Sequence, residues 1–189
     1  MKVDFFKEDL RQAAHLMVGI VSVLLVQYIG FNSALLFLLA IFIVGLVLSN
    51  FKLLGGKVKL VDYLLSLTDR NDPIPGKGAM FFAAGILFLL VFAKPLDFAL
   101  AMILLHAAGD AFATVIGLRF KQPLPWNNKK SWFGFTSFIV FGAVAAQFFI
   151  PLQTAFLYAF FLAIVESLNL SIDDNISVPV FALLLSKVV

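Results

Sequence analysis

The sequence contains no cysteine. Disulfides and thiolate metal sites are therefore excluded. Charge is also scarce: Asp, Glu, Lys and Arg make up 13% of the 189 residues, against about 25% in an ordinary soluble domain. Hydrophobic residues reach 62%. A soluble domain of this size cannot hide so much apolar surface, because even a well-packed fold leaves a large area facing water. A bilayer removes the difficulty, since lipid is then the solvent for the outer faces, and the 23 Phe residues suit lipid-facing helices. Three further features are missing: a P-loop with GxxxxGK[ST] spacing, an internal repeat and a low-complexity segment. No cleavable leader is apparent either. The opening stretch MKVDFFKEDLRQAAH is too acidic for one, and no small-residue cleavage site follows the first apolar run. The expectation is a retained first span, one domain over residues 1–189 and a prokaryotic plasma membrane.

What is present is a series of apolar runs. A span needs about 20 mostly apolar residues. Seven candidates emerge, near 13–28, 33–54, 78–93, 96–117, 132–150, 152–168 and from 176 to the end. The expected fold is all-α: a polytopic, multi-pass integral membrane protein of about seven transmembrane helices. Lys and Arg are unevenly shared among the loops. Twelve of the 14 fall in the N-terminal arm, the loop between spans two and three, and the loop between spans four and five. The other side has only Lys94 and Lys187. The positive-inside rule puts the N-terminus and long loops in the cytoplasm, and seven spans leave the C-terminus outside.

Several polar residues do not belong in lipid. Span four carries His106, Asp110 and Thr114 at intervals of four, which sets them on one helix face. Asp110 lies about 10 Å below the expected cytoplasmic end, at 1.5 Å per residue. A carboxylate there needs a partner, water or a metal; a structural pair with a neighbouring basic side chain is the other reading. Lys129, Lys130 and Ser131 stand at the expected start of span five, where free N–H groups and the helix dipole favour anions. They fit a phosphate site, or an ordinary positive-inside anchor. Before span three, Gly76, Lys77 and Gly78 follow a proline. Glycines let a ligand approach the backbone closely, although Pro-Gly before a helix is also an ordinary turn. After span six, Glu166, Asp173, Asp174 and Asn175 form an oxygen-rich cluster of the kind that hard cations such as Mg²⁺ prefer, or a solvated loop. Arg11 and His15, four apart at the entry to span one, suit an interfacial anchor or a headgroup site. By the charge count, all these clusters gather on the cytoplasmic side. Basic groups and glycines for phosphates, with carboxylates for a divalent cation, are the parts of a phosphoryl-transfer site.

The stretches GDAFATVIG and NNKKSWFG, with ESLNLSIDDNISVP leading into a final span, resemble the motifs of the polyprenol kinase family, which includes dolichol kinase, phytol kinase and the CTP-dependent diacylglycerol kinase. PGKGAMFF and RQAAH also look like family features, with glutamine where a lysine is expected after the arginine. The resemblance runs from about Arg11 to Val180 and suggests a minimal member. It implies transfer of the γ-phosphate of CTP to a lipid alcohol, with Mg²⁺ on the triphosphate. Asp110, Glu166, Asp174 and Asn175 would hold the metal. Lys129, Lys130 and Ser131, with Arg70, Thr114, Lys77 and the Gly76–Gly78 turn, would surround the nucleotide. Asp110 or Glu166 would accept the hydroxyl proton, with His15 and His106 as lesser candidates. The implied partners are CTP, a lipid alcohol and the bilayer, with no nucleic acid.

Alternatives stay open. A diacylglycerol kinase or a membrane cytidylyltransferase would use similar parts. A small transporter would use His106 and Asp110 as an ion path, but transporters usually hold their polar groups near the midplane of two related halves, and no such halves are visible.

Overall fold

The computed structural model describes residues 4–69 and 72–188. It contains eight helices and a two-stranded hairpin: α1 (Phe5–Ile29), α2 (Phe31–Leu53), α3 (Lys59–Thr68), α4 (Lys77–Phe92), α5 (Leu96–Arg119), β1 (Pro123–Leu124), β2 (Asn127–Ser131), α6 (Trp132–Ala146), α7 (Leu152–Ser167) and α8 (Asp174–Leu185). Each of the seven apolar runs forms a helix. Among the described residues, α1, α2 and α5 are long and apolar enough to cross a membrane, while α4, α6, α7 and α8 are shorter apolar helices.

Two elements differ from the sequence expectation. The basic loop between α2 and α4 contains the amphipathic helix α3, which has no buried residue. The segment holding Lys129 and Lys130 is not a helix N-terminus but strand β2, paired antiparallel with β1. Helix α6 starts only at Trp132, with Ser131 as its cap accepting from the Gly134 N–H at 3.0 Å.

Helix α5 is the axis of the bundle, and its membrane-length stretch is two-thirds buried. Small residues let its neighbours come close, as in helix pairs within lipid. A Cβ on Gly134 of α6 would stand 2.9 Å from the Ala113 carbonyl oxygen, and one on Gly19 of α1 only 2.5 Å from the Ala107 Cβ. Helix α2 sits at the periphery, with only Ala34 and Ser49 buried. Outward faces are predominantly apolar, with Phe6, Leu36 and Phe148 well exposed.

Charged contacts gather at one end of the bundle. The start of α1 meets the end of α5 through Asp9 and Arg119 at 2.6 Å. Lys7 donates to the Ser66 carbonyl of α3, and Ser49 to the Pro75 carbonyl before α4. The starts of α1, α4, α6 and α8 and the ends of α2, α5 and α7 therefore share one polar end.

Candidate active site

Two polar clusters meet at that end. The first is a pocket of about 300 Å³, bounded by Thr114 and Gly117 of α5, Lys129, Lys130 and Ser131 of β2, Glu166 at the end of α7 and Asp174 at the start of α8. Lys130 is its hub. Its ammonium donates to Glu166 and, at 3.1 Å, to Asp174. Burial alone would lower the Lys130 pKa, but the carboxylates of Glu166, Asp174 and Asp110 outweigh it and raise the value, so the side chain stays charged. Glu166 is buried, and a buried carboxylate of this kind is tolerated because it is paired.

The hairpin that delivers the lysines is latched to α7. Trp126 Nε1 donates to Ser167 Oγ at 3.0 Å, and the Asn127 amide to the Ser167 carbonyl at 2.9 Å. The Asn127 side-chain oxygen in turn accepts from the Lys129 N–H. Trp126, Asn127 and Ser167 were not singled out from the sequence. The turn chemistry of PLPW could have flagged the hairpin, but its partner lies forty residues away.

The second cluster lies deeper and contains His15, His106, Asp110 and Asn175. His15 Nε2 stands 3.7 Å from Asp110 Oδ2, an ionic distance rather than a hydrogen bond. The His15 ring stacks on Phe82, with centroids 3.6 Å apart. His106 Nε2 and Asn175 Oδ1 are 3.3 Å apart. Close packing makes this link possible: a Cβ on Gly85 of α4 would stand 2.3 Å from the Asn175 carbonyl oxygen. Several buried polar atoms at this end make no hydrogen bond, including Gln12 Oε1, His106 Nδ1 and His15 Nε2, whose nearest charged neighbour is the Asp110 carboxylate. Unpaired buried polar atoms cost about 1–3 kcal/mol each, so a cluster of them fits a place that a polar ligand or water completes. The two clusters adjoin: Asp110 is one helical turn from Thr114, and Asn175 follows Asp174.

The remaining sequence candidates lie elsewhere. Gly76, Lys77 and Gly78 do not border the pocket. Gly76 takes a left-handed conformation (φ +72°) as the N-cap of α4, its N–H donates to Asp69 at 3.2 Å, and the Lys77 ammonium lies over the Phe81 ring. Arg70 falls outside the described residues. Asn175 turns its side chain to His106 and Asp173. Among the described residues, no three His, Asp or Glu side chains converge as a ready-made metal nest. Glu166 and Asp174 nevertheless give the pocket two carboxylates. Mg²⁺ commonly uses one or two carboxylates together with substrate phosphates, so the donor set fits that ion bound with a polyphosphate.

Fold and site together define a helical membrane protein with a basic and acidic pocket at one end. No family model matches the chain, and no solved structure matches it. An uncharacterized protein of Methanocaldococcus jannaschii is 30% identical over 179 residues, covering 92% of this chain and 89% of the relative. A probable phytol kinase 2 of Oryza sativa subsp. japonica is 30% identical, covering 95% of this chain and 65% of the relative. Phytol kinase 1 of Arabidopsis thaliana is 28% identical, covering 57% of this chain and 42% of the relative. The chain belongs to one family with the archaeal protein, and plant phytol kinases are its distant homologues. It spans 65% of the rice protein's length and 42% of the Arabidopsis protein's.

Proposed function

We propose that the protein is a lipid alcohol kinase that transfers the γ-phosphate of CTP to an isoprenoid alcohol. One observation carries the reading: a pocket in which Lys129, Lys130, Ser131 and Thr114 face Glu166 and Asp174, at the polar end of an apolar bundle. The homology to phytol kinases supports the acceptor class, and CTP as donor rests on the resemblance of the motifs to the polyprenol kinases.

In this reading the lysines, Ser131 and Thr114 hold the triphosphate. Phosphoryl transfer depends mainly on positioning and charge neutralisation, and the lysines supply both. Mg²⁺ held by Glu166 and Asp174 would add positive charge beside the transferred phosphate. Asp110, with His15 beside it, receives the hydroxyl proton of the alcohol. The alcohol oxygen forms a bond to the γ-phosphorus as the bond to the β-phosphate oxygen breaks, and CDP leaves. The positive-inside rule supports a cytoplasmic face for this chemistry, with the N-terminus inside and the C-terminus outside, and the same reading takes the membrane to be a prokaryotic plasma membrane.

The test is transfer of label from γ-labelled CTP, and separately ATP, to a panel of prenols and diacylglycerol, using purified protein with Mg²⁺. Label in a prenyl phosphate from CTP is the expected result. Label in diacylglycerol would reassign the acceptor. Lipid labelling from α-labelled but not γ-labelled CTP would make the protein a cytidylyltransferase.

A further inference from the structure

A second cavity, of about 270 Å³, lies between α1, α2 and α4. Its walls include Val18, Val21 and Ser22 of α1, Phe37 of α2, and Ala83 and Ile86 of α4. The one hydroxyl among these residues is spent within its own helix, where Ser22 Oγ donates to the Val18 carbonyl at 2.8 Å. The cavity therefore offers an incoming molecule only apolar contact. We propose that it binds the hydrocarbon tail of the alcohol acceptor and guides its hydroxyl to His15 and Asp110. This inference rests on the lipid alcohol kinase reading.

Three observations point to that occupant. The first is continuity with the polar cluster. His15, Val18 and Ser22 follow one another at intervals of three and four on α1, and Phe82 and Ile86 at four on α4, so cavity wall and polar cluster share a face of each helix. Phe82 stacks on His15 and forms the boundary between them. Gly19 is held against Ala107 of α5, so the backbone of α1 lies tight on the axis helix where the cavity begins. A tail in the cavity thus ends beside the carboxylate next to the phosphate pocket.

The second observation is the opening. The outer lip is lipid-facing: Val18 is 47% exposed and Phe37 49%. Helix α2, which closes this side, buries almost nothing. A long alcohol can enter sideways from the hydrocarbon without passing through water.

The third is depth. His15 lies about 6 Å further along α1 than Arg11, at 1.5 Å per residue, and the charged contacts of Glu8, Asp9 and Arg11 sit above it. A bare hydroxyl can be carried to that level. A phospholipid headgroup cannot, because its charge would be drawn below the polar ring into hydrocarbon. The cavity therefore selects a lipid with a bare hydroxyl over the bilayer's own phospholipids. From Met17 to Leu25 it runs along α1 for about 12 Å, so it grips the part of the tail nearest the hydroxyl, and a longer tail continues into the bilayer.

The test is photolabelling of the full-length protein in phosphatidylcholine nanodiscs with an isoprenoid alcohol carrying a diazirine near the hydroxyl end, followed by mapping of the labelled peptides. Label is expected in α1 and α4 at the cavity. Excess unlabelled prenol should displace it, and added phospholipid should not. Ala83→Trp, which fills the cavity, should reduce this label about tenfold, equivalent to about 1.4 kcal/mol. Val21→Trp at the lip serves if Ala83→Trp does not fold, and Leu36→Trp on the outer face of α2 should change nothing. Label spread around the outer helix faces and displaced equally by phospholipid would overturn the inference, since the cavity would then hold only annular lipid. Phosphate transfer is measured on the same preparation. Label in the cavity without transfer from any nucleotide keeps the alcohol site and removes the kinase reading. Transfer with label elsewhere does the reverse.

Discussion

Asp110 belongs to the deeper cluster, 3.7 Å from His15, and lies one turn of α5 from Thr114 of the pocket. Asp110→Asn keeps its size and removes its charge and its capacity to take a proton. Loss of a positioned acid–base group costs about 10²–10⁴ in rate, so turnover should fall by that range while the variant remains folded in detergent. Wild-type-like turnover would remove Asp110 from the mechanism. Lys130 has a double role, because it faces the pocket and also neutralises Glu166, only 3% exposed. Lys130→Ala should weaken nucleotide binding more than lipid binding. It should also cost about 3 kcal/mol of stability, the expense of stranding a buried charge. Adding Glu166→Gln should restore most of that stability and none of the nucleotide binding. Equal losses of nucleotide and lipid affinity in the single variant would argue that Lys130 is only structural.

Helices decide which of these residues meet. Gly85 allows α4 to lie directly against the first turn of α8, and that contact sets Asn175 opposite His106. Gly85→Ala would bring a methyl into the Asn175 carbonyl and push the two helices apart. Overpacking typically costs 1–3 kcal/mol. Activity should drop at temperatures where the variant is still folded, because both the Asn175–His106 link and the neighbouring Asp174 of the pocket ride on the first turn of α8. Unchanged activity would show that the Asn175–His106 link is dispensable. Elements also mark how far the sequence was legible. All seven apolar runs became helices, and the four-residue spacing of His106, Asp110 and Thr114 did reach one face, because periodicity is a local property of a helix. The hairpin was not legible. The segment NNKKS, ahead of an apolar run, reads as a helix start, yet it pairs with a two-residue strand and is fixed by Ser167 of α7. A contact so distant in sequence leaves no local period. Helix α3 was missed for another reason: its basic flanks were counted as loop charge, although Leu60 and Leu64 lie at helical spacing within it. Phe82 was likewise one apolar residue among many until its stacking on His15 distinguished it.

At the scale of the whole molecule, chain alternation and charge agree. Successive apolar helices reverse direction, so the starts of α1, α4, α6 and α8 and the ends of α2, α5 and α7 converge, joined by contacts such as Asp9 with Arg119 and Lys130 with Glu166 and Asp174. Lys and Arg concentrate at the same end, and the opposite end retains Lys94 and Lys187. Four of the seven apolar helices are short, with 16, 15, 16 and 12 residues. A helix of 16 residues is about 24 Å long, against a hydrocarbon core of about 30 Å. If these helices span, the bilayer thins locally around them or their flanking residues reach out to the headgroups. Local thinning would shorten the distance between a water-soluble nucleotide and a lipid hydroxyl. If all seven helices span, a reporter fused after residue 189 must read as external and one inserted in the loop carrying Lys57 as cytoplasmic. A cytoplasmic signal from the C-terminal fusion, with the loop reporter also cytoplasmic, would mean that one of the short helices does not cross. Helix α8 would be the first suspect, as the shortest of them and the one that carries Pro179 within it.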